Sequence, residues 1–348
     1  HFDGPIRNLK TFEDKEVMRE FALSSFGEIL HADAQSPAMI YYLDTFSSTK
    51  EAPNENYGRE LMELHTLGVD GPYTHQDIDE IARCFTGWGI NRRTGDFFFS
   101  RRNHDDNEKI VLGNIIPAGG GIDDGMQVLD ILAAHDSTAE FISKKLCVHF
   151  IEDEPSDEII QSTSQVFKDT GGDIKSILKH ILMSEQFMQA SDAKFKRPFH
   201  YVASCIGALN GELRTGRRVM RQIKQLLESL GNSPFDWQTP DGYPDYASHW
   251  LSTSGMLLRW NFASLFSFGE LRGLRYELDT LFTAPFTASN IVNQIQHKII
   301  RRDFELNDKI TLLNYLQEDA DDDDGIVSET KIQAALTIVL SSAYFQLI

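Results

Sequence analysis

Apolar residues recur along most of this chain at three- and four-residue spacing, the period of amphipathic helices rather than strands. The pattern predicts helices near 14–31, 37–47, 55–67, 75–86, 124–134, 138–151, 156–169, 173–187, 196–209, 216–230, 255–281, 288–300, 306–317 and 328–345. Thr74 with Asp77 reads as a relative of the capping box ahead of Ile78, Ile81, Ala82 and Phe85. Ser137 reads as the cap of the 138–151 helix, and Pro155-Ser156 opens the next one. One β signal stands out, Phe97–Phe99 followed after a polar turn by Ile110–Leu112, a short hairpin at most. Gly119-Gly120-Gly121 lacks the Lys-Ser/Thr of a phosphate loop and reads as a hinge, while Asn232 to His249 is mostly loop. The expected fold is mainly α: one large multi-helix domain over residues 1–348 with one short hairpin and long irregular loops. Lobes 1–190 and 191–348 would share its core.

The stretch Pro53 to Gly68 complicates that pattern. Asn54 suits an N-cap, Glu55 suits the positive helix start, and Gly68 suits a left-handed stop. On a helical wheel Tyr57, Leu61 and Leu64 make an apolar stripe that should face a core. Asn56, Glu60 and Glu63 line one flank of it, and Asn54 and His65 the other. An unbonded polar group beside a buried face costs about 2–7 kcal/mol. Such a helix is therefore either locked into a structural network or holds its acids for chemistry. Glu60 and Glu63 share one face, so in low dielectric their repulsion would raise one pKa and create an acid–base pair. They would equally suit a hard metal with a third ligand from elsewhere. An Arg59–Glu63 surface pair is the plainer reading, worth only about 0.3–0.5 kcal/mol.

Charge narrows the function. With 52 Asp+Glu against 33 Lys+Arg the formal net charge is −19, and no basic stripe marks a nucleic-acid footprint. Arg92-Arg93, Arg101-Arg102, Arg217-Arg218 and Arg301-Arg302 are isolated pairs in acidic surroundings, read as solvated or ion-paired. Cys84, Cys147 and Cys205 are far apart, without a C-x-x-C pair, and read as buried free thiols. No apolar run approaches membrane-spanning length. The start at His1, without Met, suggests processing or trimming, so an export signal would lie upstream. The run Asp319 to Gly325 fails the calcium-loop register, which would put Ala320 first and Lys331 last.

Three further clusters carry candidate chemistry. His104-Asp105, with Lys109 after it, sits in the expected hairpin loop, where a carboxylate could fix an imidazole tautomer or merely stabilise a turn. His135, Thr138 and Lys145 span a helix start and look mainly structural. Lys196-Arg197-Pro198 joins Pro240-Asp241-Gly242-Tyr243-Pro244-Asp245, Trp250 and Arg259 as either a ligand rim or a crossover tied by Arg–Asp pairs.

In order along the chain, Pro53–Val69, Tyr73–Trp88, His104–Gly113, His135–Leu146, Lys194–Phe199, Pro240–Asp245 and Leu340–Gln346 resemble the bacterial "domain of unknown function 1800" family. The Asn-Glu-Asn-Tyr…Arg-Glu-Leu…Glu-Leu-His-Thr-Leu-Gly block is specific, and the resemblance covers essentially the whole chain. His1-Phe2 looks like the end of that family's aromatic and histidine-rich segment, which implies that the family's N-terminal part is missing. Gly58 stands where the family usually has Ala, at a helix cost of about 1 kcal/mol, and Asn107 replaces the usual turn Gly. The resemblance implies a mainly helical, often exported protein, frequently encoded beside a sulfatase-like exported partner, with no settled activity.

The expectation is therefore a periplasmic or secreted hydrolase or lyase acting on a polymer or glycan, with no cofactor. Glu60 and Glu63 form its acid–base pair, and His104 with Asp105 assists. Arg59, Asn56, Lys145, Arg197, Asp241, Tyr243 and Trp250 hold substrate. Two alternatives stay open: a non-catalytic module assembling with the exported partner, and a metal-dependent hydrolase using Glu60, Glu63, His65 and His104 as ligands.

Overall fold

The structure, a computed structural model, describes residues 6–91, 93–213, 216–318 and 325–348. The acidic run 319–324, His1-Phe2 and Arg92 lie outside the described residues. The fold is mainly α, with three short antiparallel strand pairs. None of the described helices is long and apolar enough to cross a membrane. The chain divides into two compact units, His1–Gln189 with Gln238–Gly242, and Ala190–Trp237 with Tyr243–Ile348.

In the first unit, local chemistry sets helix ends that periodicity alone misses. The helix expected over 14–31 breaks, because Ser25 and Glu28 form a reciprocal capping box that starts a new helix, Phe26–Ala34. Thr74 and Asp77 do the same for His75–Cys84, and the second Asp77 oxygen accepts from the Leu112 amide 2.8 Å away. Ser137 is not the cap of Asp136–Phe150: the His135 imidazole accepts from the Ser137 amide at 3.1 Å.

The expected hairpin does not form. Phe97–Phe99 pairs backwards with Trp88–Ile90, and Lys109–Val111 pairs forwards with Asn114–Ile116. The second pairing turns on Leu112 and Gly113, both at positive φ (48° and 75°), the backbone of a tight two-residue hairpin. Leu is an unusual residue there, which hid the turn. The core gathers Leu30, Tyr57, Leu61, Met62, Ile81, Phe85, Trp88 and Leu129. Edge-on rings run from Tyr57 to Phe85 to Trp88 to Phe97 with centroids 4.8–5.0 Å apart, each such pair worth about 0.5–1.5 kcal/mol beyond its area.

The second unit has its own core around Tyr201, Phe262, Phe266, Ile291, Val292, Ile295 and Leu336. The helix expected over 255–281 runs only Thr253–Ser267, because Gly269 at φ 67° supplies a left-handed stop. Arg259, fully buried, donates to Gln346 Oε1 and to the Lys196 carbonyl, both at 2.7 Å, and lies over the Phe195 ring. Cys84, Cys147 and Cys205 are free and buried.

Candidate functional site

The signature helix begins as a regular turn, Glu55–Glu60, capped by the Asn54 side chain on the Asn56 amide at 3.0 Å. It then widens into a π-helix, Leu61–Thr66, and Thr66 Oγ1 donates to the Leu61 carbonyl at 2.7 Å. One extra residue per turn rotates everything downstream. Met62 and Thr66 become fully buried while Leu64, expected in the stripe, is only half-buried. Gly58 packs against the His75–Cys84 helix, where an added Cβ would lie 3.1 Å from Ile81 and 3.4 Å from the Ile78 carbonyl. The close approach of two helices explains why Ala is not needed at this position.

Glu60 and Glu63 both remain partly exposed on the flank of this helix. Arg59 sits between Glu55 at 3.1 Å and Glu63 at 3.8 Å. Burial raises the Glu60 carboxyl above its ordinary range; Glu63 and Asp241 add to the rise and Arg59 opposes it. Tyr42 belongs to the same group, its hydroxyl pushed up by burial, Glu60 and Asp241. No pattern in the sequence singled out Tyr42. Asn56 is exposed and donates to the Leu43 carbonyl at 3.3 Å. Within the first unit the structure thus brings Arg59, Glu60, Glu63, Asp241 and Tyr42 together.

On the other flank, burial pulls the His65 imidazole down to about 4, with Lys145 and Lys10 lowering it further. Lys145 itself is exposed, 5.0 Å from the Phe141 ring centroid. Near the helix start a sealed carboxyl pair appears that the sequence did not announce. Asp33 is held well above the ordinary range by burial first and by Glu13 second. Glu13 Oε1 and Asp33 Oδ1 are buried without a hydrogen-bond partner, while Lys10 reaches Glu13 at 3.1 Å.

His104 and Asp105 lie elsewhere, in a second polar cluster. His104 is 2% exposed; its Nδ1 faces the Thr86 carbonyl at 2.8 Å and its Nε2 faces Asp124 Oδ2 at 3.1 Å. Lys109, also buried, bonds the same Asp124 oxygen and the Asp105 carbonyl. Asp105 turns the other way, accepting from Arg83 Nε at 2.7 Å and from Asn107. Burial would raise its carboxyl, but Arg83 and Asn107 outweigh that and hold it down to about 2. Arg83 in turn grips both Glu80 oxygens at 2.8–2.9 Å. The triple glycine has a packing role beside this cluster: a Cβ on Gly120 would lie 2.1 Å from Asp124 Oδ1. Sequence reasoning placed Lys109 beside His104 but missed Asp124, twenty residues away, because only the fold joins them.

The remaining predicted residues belong to the second unit. Arg197 pairs with Asp245 at 3.2 Å, the Tyr243 hydroxyl donates to the Ser233 carbonyl at 2.7 Å, and buried Trp250 donates to the Pro244 carbonyl at 2.9 Å. These contacts fasten an irregular crossover. Among the described residues, the side chains that gather closely enough to hold a metal ion are Glu55, His75 and Asp79, whose ligand atoms lie within 4.8 Å of one another. Glu60, Glu63, His65 and His104 do not gather in that way.

A family model described as "Protein of unknown function (DUF1800)" matches residues 3–347, and that match lends no support to a missing N-terminal part. No curated protein and no solved structure matches the chain.

Proposed function

Because the chain belongs to the DUF1800 family of proteins of unknown function, we propose from its own side chains that it is an acid–base enzyme of the hydrolase or lyase type. It would act outside the cytoplasm on a polymer such as a glycan and need no cofactor. Its proton donor is Glu60. One observation carries the reading: the Glu60 carboxyl is raised by burial, Glu63 and Asp241, yet stays partly exposed. A carboxyl raised in that way and still partly exposed can serve as a proton donor and also meet a substrate.

In the hydrolytic form, the scissile C–O bond breaks and the leaving oxygen takes the Glu60 proton. Water adds its hydroxyl to the carbon and gives its proton to Glu63, which Arg59 positions at 3.8 Å. Tyr42, kept protonated by burial and by the neighbouring acids, supplies a hydroxyl donor beside Glu60.

The test has two parts. Carboxyl-selective NMR titration of Glu60 should give a midpoint above the ordinary glutamate value near 4.3. A panel of acidic and neutral polysaccharides should then show new reducing ends or unsaturated products, both abolished by Glu60→Gln. A normal Glu60 titration, or turnover that survives the substitution, overturns the reading.

The second reading, a non-catalytic module assembling with an exported partner, draws on the sealed His104–Asp124–Lys109 cluster. A buried, mutually bonded ionic group of that kind specifies a fold without needing a substrate. It gains if wild-type protein leaves the whole panel uncut while binding a second protein at micromolar concentration.

A further inference from the structure

A cavity of about 530 Å³ in the second unit carries positive charge that a chain of net charge −19 does not balance there. Lys196, Lys298, Arg301 and Arg302 line it, against one acidic side chain, Asp192. Asp192 is taken up by Arg302. Lys298 is satisfied by neutral acceptors only, the Leu281 carbonyl and Gln294 Oε1 at 2.7 and 2.8 Å. Exposed Arg301 has no acidic partner among the described residues.

Lys196 is the decisive group. It is 9% exposed, and its ammonium lies 4.0 Å from the centroid of the Phe345 ring on the cavity wall. Among the described residues it has neither a hydrogen-bond acceptor nor an ion-pair partner for that ammonium. Burial pulls it down to about 8; Cys205 partly opposes this, and the cationic neighbours Arg302 and Arg259 add to it. An ammonium on a largely buried lysine beside two guanidiniums is costly unless something negative joins it. We infer that this cavity binds a small organic ester of phosphate or sulfate, its oxyanion held by Lys196, Arg301 and Arg302 and its organic body against Phe345. The volume falls in the range of small-molecule sites, larger than a bare ion requires. This inference rests on the second unit alone and stands or falls separately from the Glu60 chemistry.

Calorimetry on the full chain tests it, with glucose 6-phosphate, glucose 6-sulfate and glucose as probes, at low ionic strength and at the Lys196 midpoint near pH 8. At least one ester should bind and glucose should not; which ester binds tells phosphate from sulfate recognition. Binding should take up a fraction of a proton, because the anion draws Lys196 into its charged form. Lys196→Met should fold, since it removes an uncompensated buried charge, and should weaken binding by about tenfold to a hundredfold and abolish the proton uptake. Arg301→Gln, at an exposed position, should weaken binding several-fold without touching the fold. No binding of either ester, binding without proton uptake, or binding that both variants leave unchanged overturns the assignment.

Discussion

Two polar clusters in the first unit both set carboxyl groups beside cationic side chains and reach opposite outcomes. Around Asp124 every partner is sealed: His104, Lys109 and the carboxylate have fully buried side chains, and both partners meet Oδ2 while Oδ1 is left without a hydrogen bond. Around Glu60 the acids sit half in solvent, with one guanidinium shared between Glu55 and Glu63. The first cluster is held by its own internal pairing and is closed to solvent. The second keeps an acid that is raised and still reachable. Accessibility, rather than residue type, separates a group that specifies the fold from one that is available for chemistry.

The sharpest way to break this contrast is to strip one partner from the sealed cluster. Lys109→Met leaves Asp124 and His104 buried without their cation and should cost about 3–5 kcal/mol, read as a shift in urea midpoint. Replacing both Lys109 and Asp124 by apolar residues should recover much of that loss, since a buried pair is often matched by a hydrophobic substitute. A loss below about 1 kcal/mol for the single variant would mean that water reaches the cluster, and the contrast would disappear.

A second effect comes from acid. His65 is held neutral down to about 4, whereas an unfolded histidine titrates near 6.5. The unfolded chain therefore binds more protons between those values, and stability is present above 6.5 and lost as pH falls toward 4. That gap corresponds to roughly 3 kcal/mol. His65→Gln should flatten the fall in stability between pH 6.5 and 4, measured by denaturant titration at each pH. An unchanged slope would place the acid lability elsewhere.

Asp33 supplies a third comparison, a sealed acid raised by burial and by a second acid, Glu13, with Lys10 opposing the rise. Its folded carboxyl is raised, so its favourable contribution is full below the unfolded value near 3.9 and is lost as pH climbs through the raised one. Asp33→Asn removes that penalty and should stabilise the protein at pH 8, with the gain vanishing near pH 4. Thermal melts at the two pH values decide it; a loss at pH 8 would show that the carboxyl pair is itself a stabilising device.

What the sequence disclosed and what it hid follow one rule: local chemistry was legible and long-range partnership was not. The Thr74–Asp77 box, the Asn54 cap and the amphipathic helices rest on contacts within four residues. The π-turn after Glu60 has no local signature; it follows from packing, which buries Met62 and leaves Leu64 half-exposed. Phe97–Phe99 looked ready to pair with the next β-like run, yet it found Trp88–Ile90 first. Of the candidate site, the Arg59–Glu60–Glu63 face was readable from helical spacing, whereas Tyr42 joins it only through the fold. His104 drew attention as a loop imidazole, but its partner Asp124 arrives from a different helix and seals it.

The smallest thermodynamic effect belongs to the residue with the largest proposed role. Glu60→Gln keeps the side-chain shape and removes a carboxyl raised by burial, Glu63 and Asp241. Arg59 is not stranded by the change, because Glu55 at 3.1 Å and Glu63 at 3.8 Å still accept its charge. Stability at neutral pH should therefore move by no more than about 0.5 kcal/mol, as for an ordinary surface substitution. The direction is also fixed: a raised acid loses stability as pH rises through its folded midpoint, so the variant should be the flatter of the two on the alkaline side. Paired urea titrations of wild type and Glu60→Gln across that range measure it. A loss comparable to that of Lys109→Met would place Glu60 among the fold-specifying groups and remove the distinction between the two clusters.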